Sequence, residues 1–238
     1  MPYSSVDVAE RPRKRKATPI QYVRVAGRLV LPVIALFLSL AVAFLLHDIP
    51  VSDSALPILS WFDHLPKDAQ LAWDPRWWPL TWAHLLLPLS FFVIHLTNRA
   101  YGPEYALGQV LVTWTLIATA ALWILEALGP AFTGSPIPPR QTTLAFLSGI
   151  VFGELVAIFI FDRTRGTRWW TAPLNGSLFG ALFYTLIFYG LSLGLIGEPW
   201  LPRVCLDFAL NAVGALALLA PYYLMRPLIK PLPGFGGK

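Results

Sequence analysis

The chain has 238 residues, of which 56% are hydrophobic and 13% charged, with a formal net charge of +5. Soluble domains carry about a quarter of their residues as charges, so this composition excludes an ordinary soluble domain and equally a disordered chain. One cysteine, Cys205, excludes an intramolecular disulfide.

Residues 1–19 are polar, proline-containing and basic, and read as a mobile tail. The Arg-Lys run at residues 11–16 is similar to a nuclear-localisation patch, but beside an apolar helix it reads as a cytoplasmic topology anchor. The first apolar stretch, Leu29–Leu46, is long for a signal-peptide core, and five more follow: Trp77–Leu96, Tyr105–Leu128, Thr142–Phe161, Thr171–Ile196 and Val204–Met225. Each is about as long as a helix needs to be to cross a hydrocarbon layer of roughly 30 Å. Lipid offers the backbone no hydrogen-bonding partner, so such stretches must be helical. The expected fold is therefore all-α: a polytopic membrane protein with a six-transmembrane-helix bundle over residues 20–226.

Fourteen of the eighteen Lys and Arg residues fall in the N-terminal tail, the second and fourth loops and the C-terminal tail. Lys67, Arg76, Arg140 and Arg203 alone occupy the other gaps. The positive-inside rule then places both termini in the cytoplasm and accounts for the basic balance without nucleic acid. The external loop 47–76 is rich in Asp and carries Trp61 and Trp73, with Trp77 and Trp78 following it. Its prolines 50, 57, 66 and 75 argue against a long helix, and its indoles favour the headgroup layer, as an interfacial plug or as a lid. The loop from Gly129 to Arg140, with four prolines, reads as a stiff extended connection, and residues 227–238 as a flexible Pro/Gly-rich tail.

Small residues four apart suggest close helix contacts. Gly149 with Gly153 lies in the fourth stretch, and Gly176 with Gly180 and Gly190 with Gly194 lie in the fifth. Pro32 and Pro88 suggest kinks or local unwinding in the first and second.

Ionisable groups at membrane depth need a reason. Glu154 is the clearest: its carboxyl must be protonated, paired or open to a cavity, either as a structural acid or as part of a polar lining. Glu126 lies near the end of its stretch and can reach headgroups. Asp207 and Asn211 are one turn apart and share a face, an acceptor-rich patch, although Asp207 is also near enough to its helix start to serve there. His84 and His95 share a face about three turns apart, too far to chelate one metal, and no ligand cluster for a metal or motif for a cofactor is evident. Tyr184 and Thr185 lie mid-stretch. Nothing positions a reaction, so an integral membrane enzyme is the weaker class.

Several segments carry a family resemblance. They are His95-Leu-Thr-Asn-Arg-Ala-Tyr-Gly102; Gly153-Glu-Leu-Val-Ala-Ile-Phe-Ile-Phe-Asp-Arg163; Arg168-Trp-Trp-Thr-Ala-Pro173; Ser177-Leu-Phe-Gly180 with Thr185-Leu186; Leu206-Asp207-Phe208; and Pro221-Tyr222. In this order, from Trp77 to Met225, the chain resembles the queuosine precursor transporter family, also called the vitamin uptake transporter family. The resemblance implies a six-helix bacterial inner-membrane importer of deazapurine precursors of a modified tRNA base. It also marks departures. The family has an aspartate at the position of His95, a glutamine at Glu154, aspartates at Ala157 and Tyr184, and a lysine at Asn211. The expected function is import of a small nucleobase-like or vitamin-like solute across the lipid bilayer. His95, Glu154, Tyr184, Asp207 and Asn211 would form the binding site between the second, fourth, fifth and sixth stretches. The alternative is a transport-inactive homologue acting as a structural or assembly subunit, docked on a membrane-complex partner or a further copy of itself.

Overall fold

The structure, a computed structural model, describes residues 19–46, 81–124, 140–166, 168–197 and 200–231, with isolated positions at 49, 51, 64, 66 and 67. The expectations for the tryptophan-rich loop, Glu126, the proline-rich connection and the two tails concern residues that lie largely or wholly outside this set. Six α-helices are present among the described residues: α1 (Pro19–Leu45), α2 (Trp82–Tyr101), α3 (Pro103–Thr119), α4 (Arg140–Arg163), α5 (Thr171–Ser192) and α6 (Leu201–Met225). A π-helical turn, Ala120–Ile124, extends α3, and a 3-10 turn, Gly194–Ile196, follows α5. Among the described residues, each of the six expected stretches is mainly helical. α1 begins at Pro19, well before Leu29, so the helix includes Arg24 and Arg28 as well as the apolar run.

Five of the helices are long and apolar enough to cross a membrane; α2 is the exception. Its place in the bundle explains why. α2 packs against each of the other five, which follow one another around it as α1, α3, α4, α5 and α6. A helix surrounded by protein needs no continuous greasy surface, so α2 can carry Ser90, His95, Thr97 and Asn98, all buried. The surrounding helices show the reverse pattern. Leu31 and Leu38 on α1, Leu111 and Leu116 on α3, Phe152 and Phe159 on α4, Phe183 on α5 and Val213 and Leu216 on α6 are exposed large apolar residues. Together they form the outward surface that a bilayer covers and water would penalise.

Local chemistry sets the turns. α2 and α3 are joined by Gly102 alone, whose φ of 91° lies where a side chain is strained, and Pro103 then starts α3. The Gly102 N–H donates to the Asn98 carbonyl at 3.0 Å, closing α2. At the other end of the bundle, Gln141 Nε2 donates to the Leu191 carbonyl at 3.1 Å, satisfying an otherwise free group at the C-terminus of α5.

α4 and α5 make the tightest pair. A Cβ added at Gly153 would stand 2.7 Å from the Gly180 carbonyl, and one at Gly180 would stand 2.8 Å from both Ala157 Cβ and the Gly153 carbonyl. Their backbones therefore touch where Gly149, Gly153, Gly176 and Gly180 lie, as the spacing suggested. The pair Gly190 and Gly194 behaves otherwise: nothing lies within 4 Å of a Cβ at Gly190, and Gly194 faces only the Trp200 ring. Spacing alone does not create a partner. Pro32 and Pro88 both lie inside continuous helices, without local unwinding. Pro88 instead fills the space left by Gly214 of α6, where a Cβ would come within 2.5 Å of the proline ring.

Basic residues gather at one end. Arg165 of α4's exit bonds Asn98 near the end of α2, Arg99 donates to the Ile229 carbonyl after α6, and Arg28 of α1 lies over the Tyr101 ring. Arg140 and Arg203 start α4 and α6 at the opposite end.

Candidate functional site

Fourteen polar or charged residues are buried among the described positions, and the site residues expected from sequence are all inside the bundle. They do not meet at one point. They lie along the seam between α2, α4, α5 and α6, in three groups.

The group farthest from the basic end is held by α2, α5 and α6. The Thr81 backbone N–H donates to His84 Nδ1 at 3.2 Å, and Thr81 Oγ1 lies 2.9 Å from the same nitrogen. An amide N–H can only donate, so Nδ1 accepts and the neutral ring carries its proton on Nε2. That nitrogen then donates to the Tyr189 hydroxyl at 3.1 Å, and Tyr189 reaches the Asp207 carboxyl. Asn211 Nδ2 donates to both the Asp207 carbonyl and its Oδ1, each at 2.9 Å. Asp207 is fully buried and lies beyond the first turn of α6, so the helix-start role does not apply. It anchors a relay that runs Thr81, His84, Tyr189, Asp207, Asn211.

The middle group centres on Glu154 of α4, which is 1% exposed. The Ser90 side chain of α2 lies against its carboxyl, while Oε1 has no hydrogen-bond partner. Tyr184 of α5 packs over neighbouring Gly153 and is stacked on Phe188 at 5.6 Å with an interplanar angle of 9°. The third group lies nearest the basic end. His95 Nε2 is 3.0 Å from Ser177 Oγ, and the ring is stacked on Phe161 at 4.9 Å. Its Nδ1 has no partner. Gly176 makes room for this ring, since a Cβ there would stand 2.6 Å from His95 Cε1.

Sequence reasoning missed Ser90, Ser177 and Tyr189, and it left His84 without a role. A signal for part of this existed: His84, Phe91, His95 and Asn98 recur at helical spacing and share one stripe of α2. No group of three or more His, Cys, Asp or Glu residues that could hold a metal occurs among the described residues. Two cavities lie at the bundle's ends and Glu154 lines neither of them.

Residues 81–225, more than half of the chain, match the family described as "Putative vitamin uptake transporter". The chain belongs to this family. It is 23% identical over 168 residues to the protein named "Queuosine precursor transporter" of Escherichia coli (strain K12), an alignment covering 64% of this chain and 76% of that protein. It is 26% identical over 156 residues to the "Probable queuosine precursor transporter" of Haemophilus influenzae, covering 60% of this chain and 66% of that one. No solved structure matches the chain. The matched region begins at α2 and ends with α6, so it contains every group of the polar seam. Family membership and the apolar helices together make this a multi-pass membrane protein of a transporter family.

Proposed function

We propose that the protein imports a small nucleobase-like or vitamin-like solute through the seam between α2, α4, α5 and α6. One observation carries the reading. His95 Nδ1, Glu154 Oε1, Asp207 Oδ2 and Asn211 Oδ1 are buried, come from three different helices and have no hydrogen-bond partner. Folded proteins rarely leave such atoms unsatisfied, so a series of them along one seam is best explained by a guest that satisfies them in passing. Three are oxygens, which suits a solute rich in N–H donors, and the Tyr184 ring offers a flat face for stacking. The proteins it matches bear the name of queuosine precursor transporters, and the N–H-bearing ring of a deazapurine precursor fits this chemistry. The glycine interlock beside Glu154 then represents a closed state, with access at the ends of the bundle.

In this reading α2 is a sixth span, loop 47–76 is external, segments 1–19 and 227–238 are cytoplasmic tails, and the protein resides in a bacterial inner membrane with both termini inside. The basic end is then the cytoplasmic end. The test is uptake of a labelled deazapurine queuosine precursor into cells lacking their own importer. Accumulation that falls severalfold with Glu154→Ala is expected; no accumulation by the well-expressed wild type removes the reading.

A second reading, a transport-inactive structural subunit of a larger membrane complex, is favoured by the near-complete enclosure of Glu154 and the backbone contact next to it. Stoichiometric co-purification of a partner, with Glu154→Ala and Asn211→Ala both behaving as wild type, would select it.

A further inference from the structure

The basic end contains more than a charge signal for orientation. Arg99, Arg165, Arg168 and Arg226 line one cavity of about 40 Å³, together with Tyr222 and Trp169. These residues come from the ends of α2, α4 and α6 and from the turn into α5, so the sequence separates what the fold assembles. Among the described residues, one carboxylate is paired at this end: Asp162 binds Arg165 Nε at 2.9 Å. Three more guanidinium groups remain around the same small volume, where mutual repulsion is costly.

Three of the arginines, Arg165, Arg99 and Arg226, are held rather than free to disperse. Arg165 donates to both the carbonyl and Oδ1 of Asn98, at 2.6 and 2.7 Å. Arg99 donates to the Ile229 carbonyl and reaches the Tyr222 hydroxyl. Arg226 lies 5.7 Å from the Trp169 ring and 5.9 Å from the Tyr223 ring, while its buried Nε has no hydrogen-bond partner. α5 begins at the rim with no acidic residue in its first turn, so its positive end adds to the field.

We infer that this arginine-lined cavity binds a phosphate-class anion, supplied either by an anionic lipid headgroup or by free phosphate. The volume holds about three waters, comparable to a phosphoryl group and too small for a nucleobase. Forked guanidinium donors suit phosphate oxygens in pairs, which Lys at the same places would not reproduce. The site is separate from the buried seam and stands whether or not the import reading does.

The test uses the full chain in nanodiscs of phosphatidylcholine, with phosphatidylglycerol or inorganic phosphate added in separate arms. Native mass spectrometry counts retained phosphatidylglycerol, and thermal unfolding reads stabilisation by phosphate. Retention of the lipid identifies the headgroup as the source; stabilisation by phosphate without lipid retention identifies the free anion. In either arm Arg226→Gln is expected to weaken binding roughly tenfold, the loss of one charge-assisted contact. Arg168→Gln, at an exposed position, gives the same direction without risk to folding. Arg203→Gln at the opposite end leaves binding unchanged. Neither lipid retention nor phosphate stabilisation in the wild type, or equal binding by wild type and both variants, overturns the inference.

Discussion

Asn211 shows how one side chain can organise a buried acid. Its Nδ2 supplies the Asp207 side-chain oxygen with a donor in a place where water has no access. Asn211→Ala removes that donor and leaves a carboxylate oxygen short of a partner, at a cost of about 1–3 kcal/mol. A fall of several degrees in thermal unfolding midpoint in detergent is expected; an unchanged midpoint means the bond is not formed. Legibility differs by residue. Asp207 and Asn211 were visible as neighbours because a helix places positions four apart on one face. Tyr189 was invisible as their partner, because its link to Asp207 crosses from α5 to α6 and depends on how those helices are rotated. The gathering of the arginines was hidden for a different reason. Counting charges per loop treats Arg99, Arg165, Arg168 and Arg226 as interchangeable orientation marks, and only the fold gathers them around one space.

Helix contacts follow from where side chains are missing. At Gly180 a Cβ meets backbone and another Cβ at 2.8 Å, and neither can swing away. Gly180→Ala therefore forces α4 and α5 apart, with an expected loss of about 1–3 kcal/mol. Gly190→Ala meets nothing and is expected to be neutral or to gain up to about 1 kcal/mol through helix propensity. Denaturation of the two variants side by side checks both; equal behaviour would mean the α4–α5 interlock is absent. The same reasoning applies to α2 and α6: Gly214→Val collides with the rigid Pro88 ring and is expected to lower the unfolding midpoint further than Gly190→Ala does. The six helices were legible because length and hydropathy report them directly. That α2 is the central helix was not, since its burial depends on the other five. Its lower apolarity is a consequence of that burial, and the polar stripe from His84 to Asn98 was the trace it left in sequence.

At the scale of the whole molecule, basic and non-basic ends are segregated, and the import reading places the basic end in the cytoplasm. Fusions at both termini test this. A fluorescent reporter active only in the cytoplasm is expected to glow at either terminus, whereas alkaline phosphatase is expected to stay inactive at both. Phosphatase activity at one terminus would mean an odd number of crossings and would remove α2 as a span.

Gly102 carries a final implication for motion. With one residue between α2 and α3, and its N–H and carbonyl both engaged, that elbow has no slack. The two helices can tilt about it but cannot slide past each other there. On the import reading, the excursion that exposes the interior from one side and then the other takes the pair along together, with the displacement growing toward the far end.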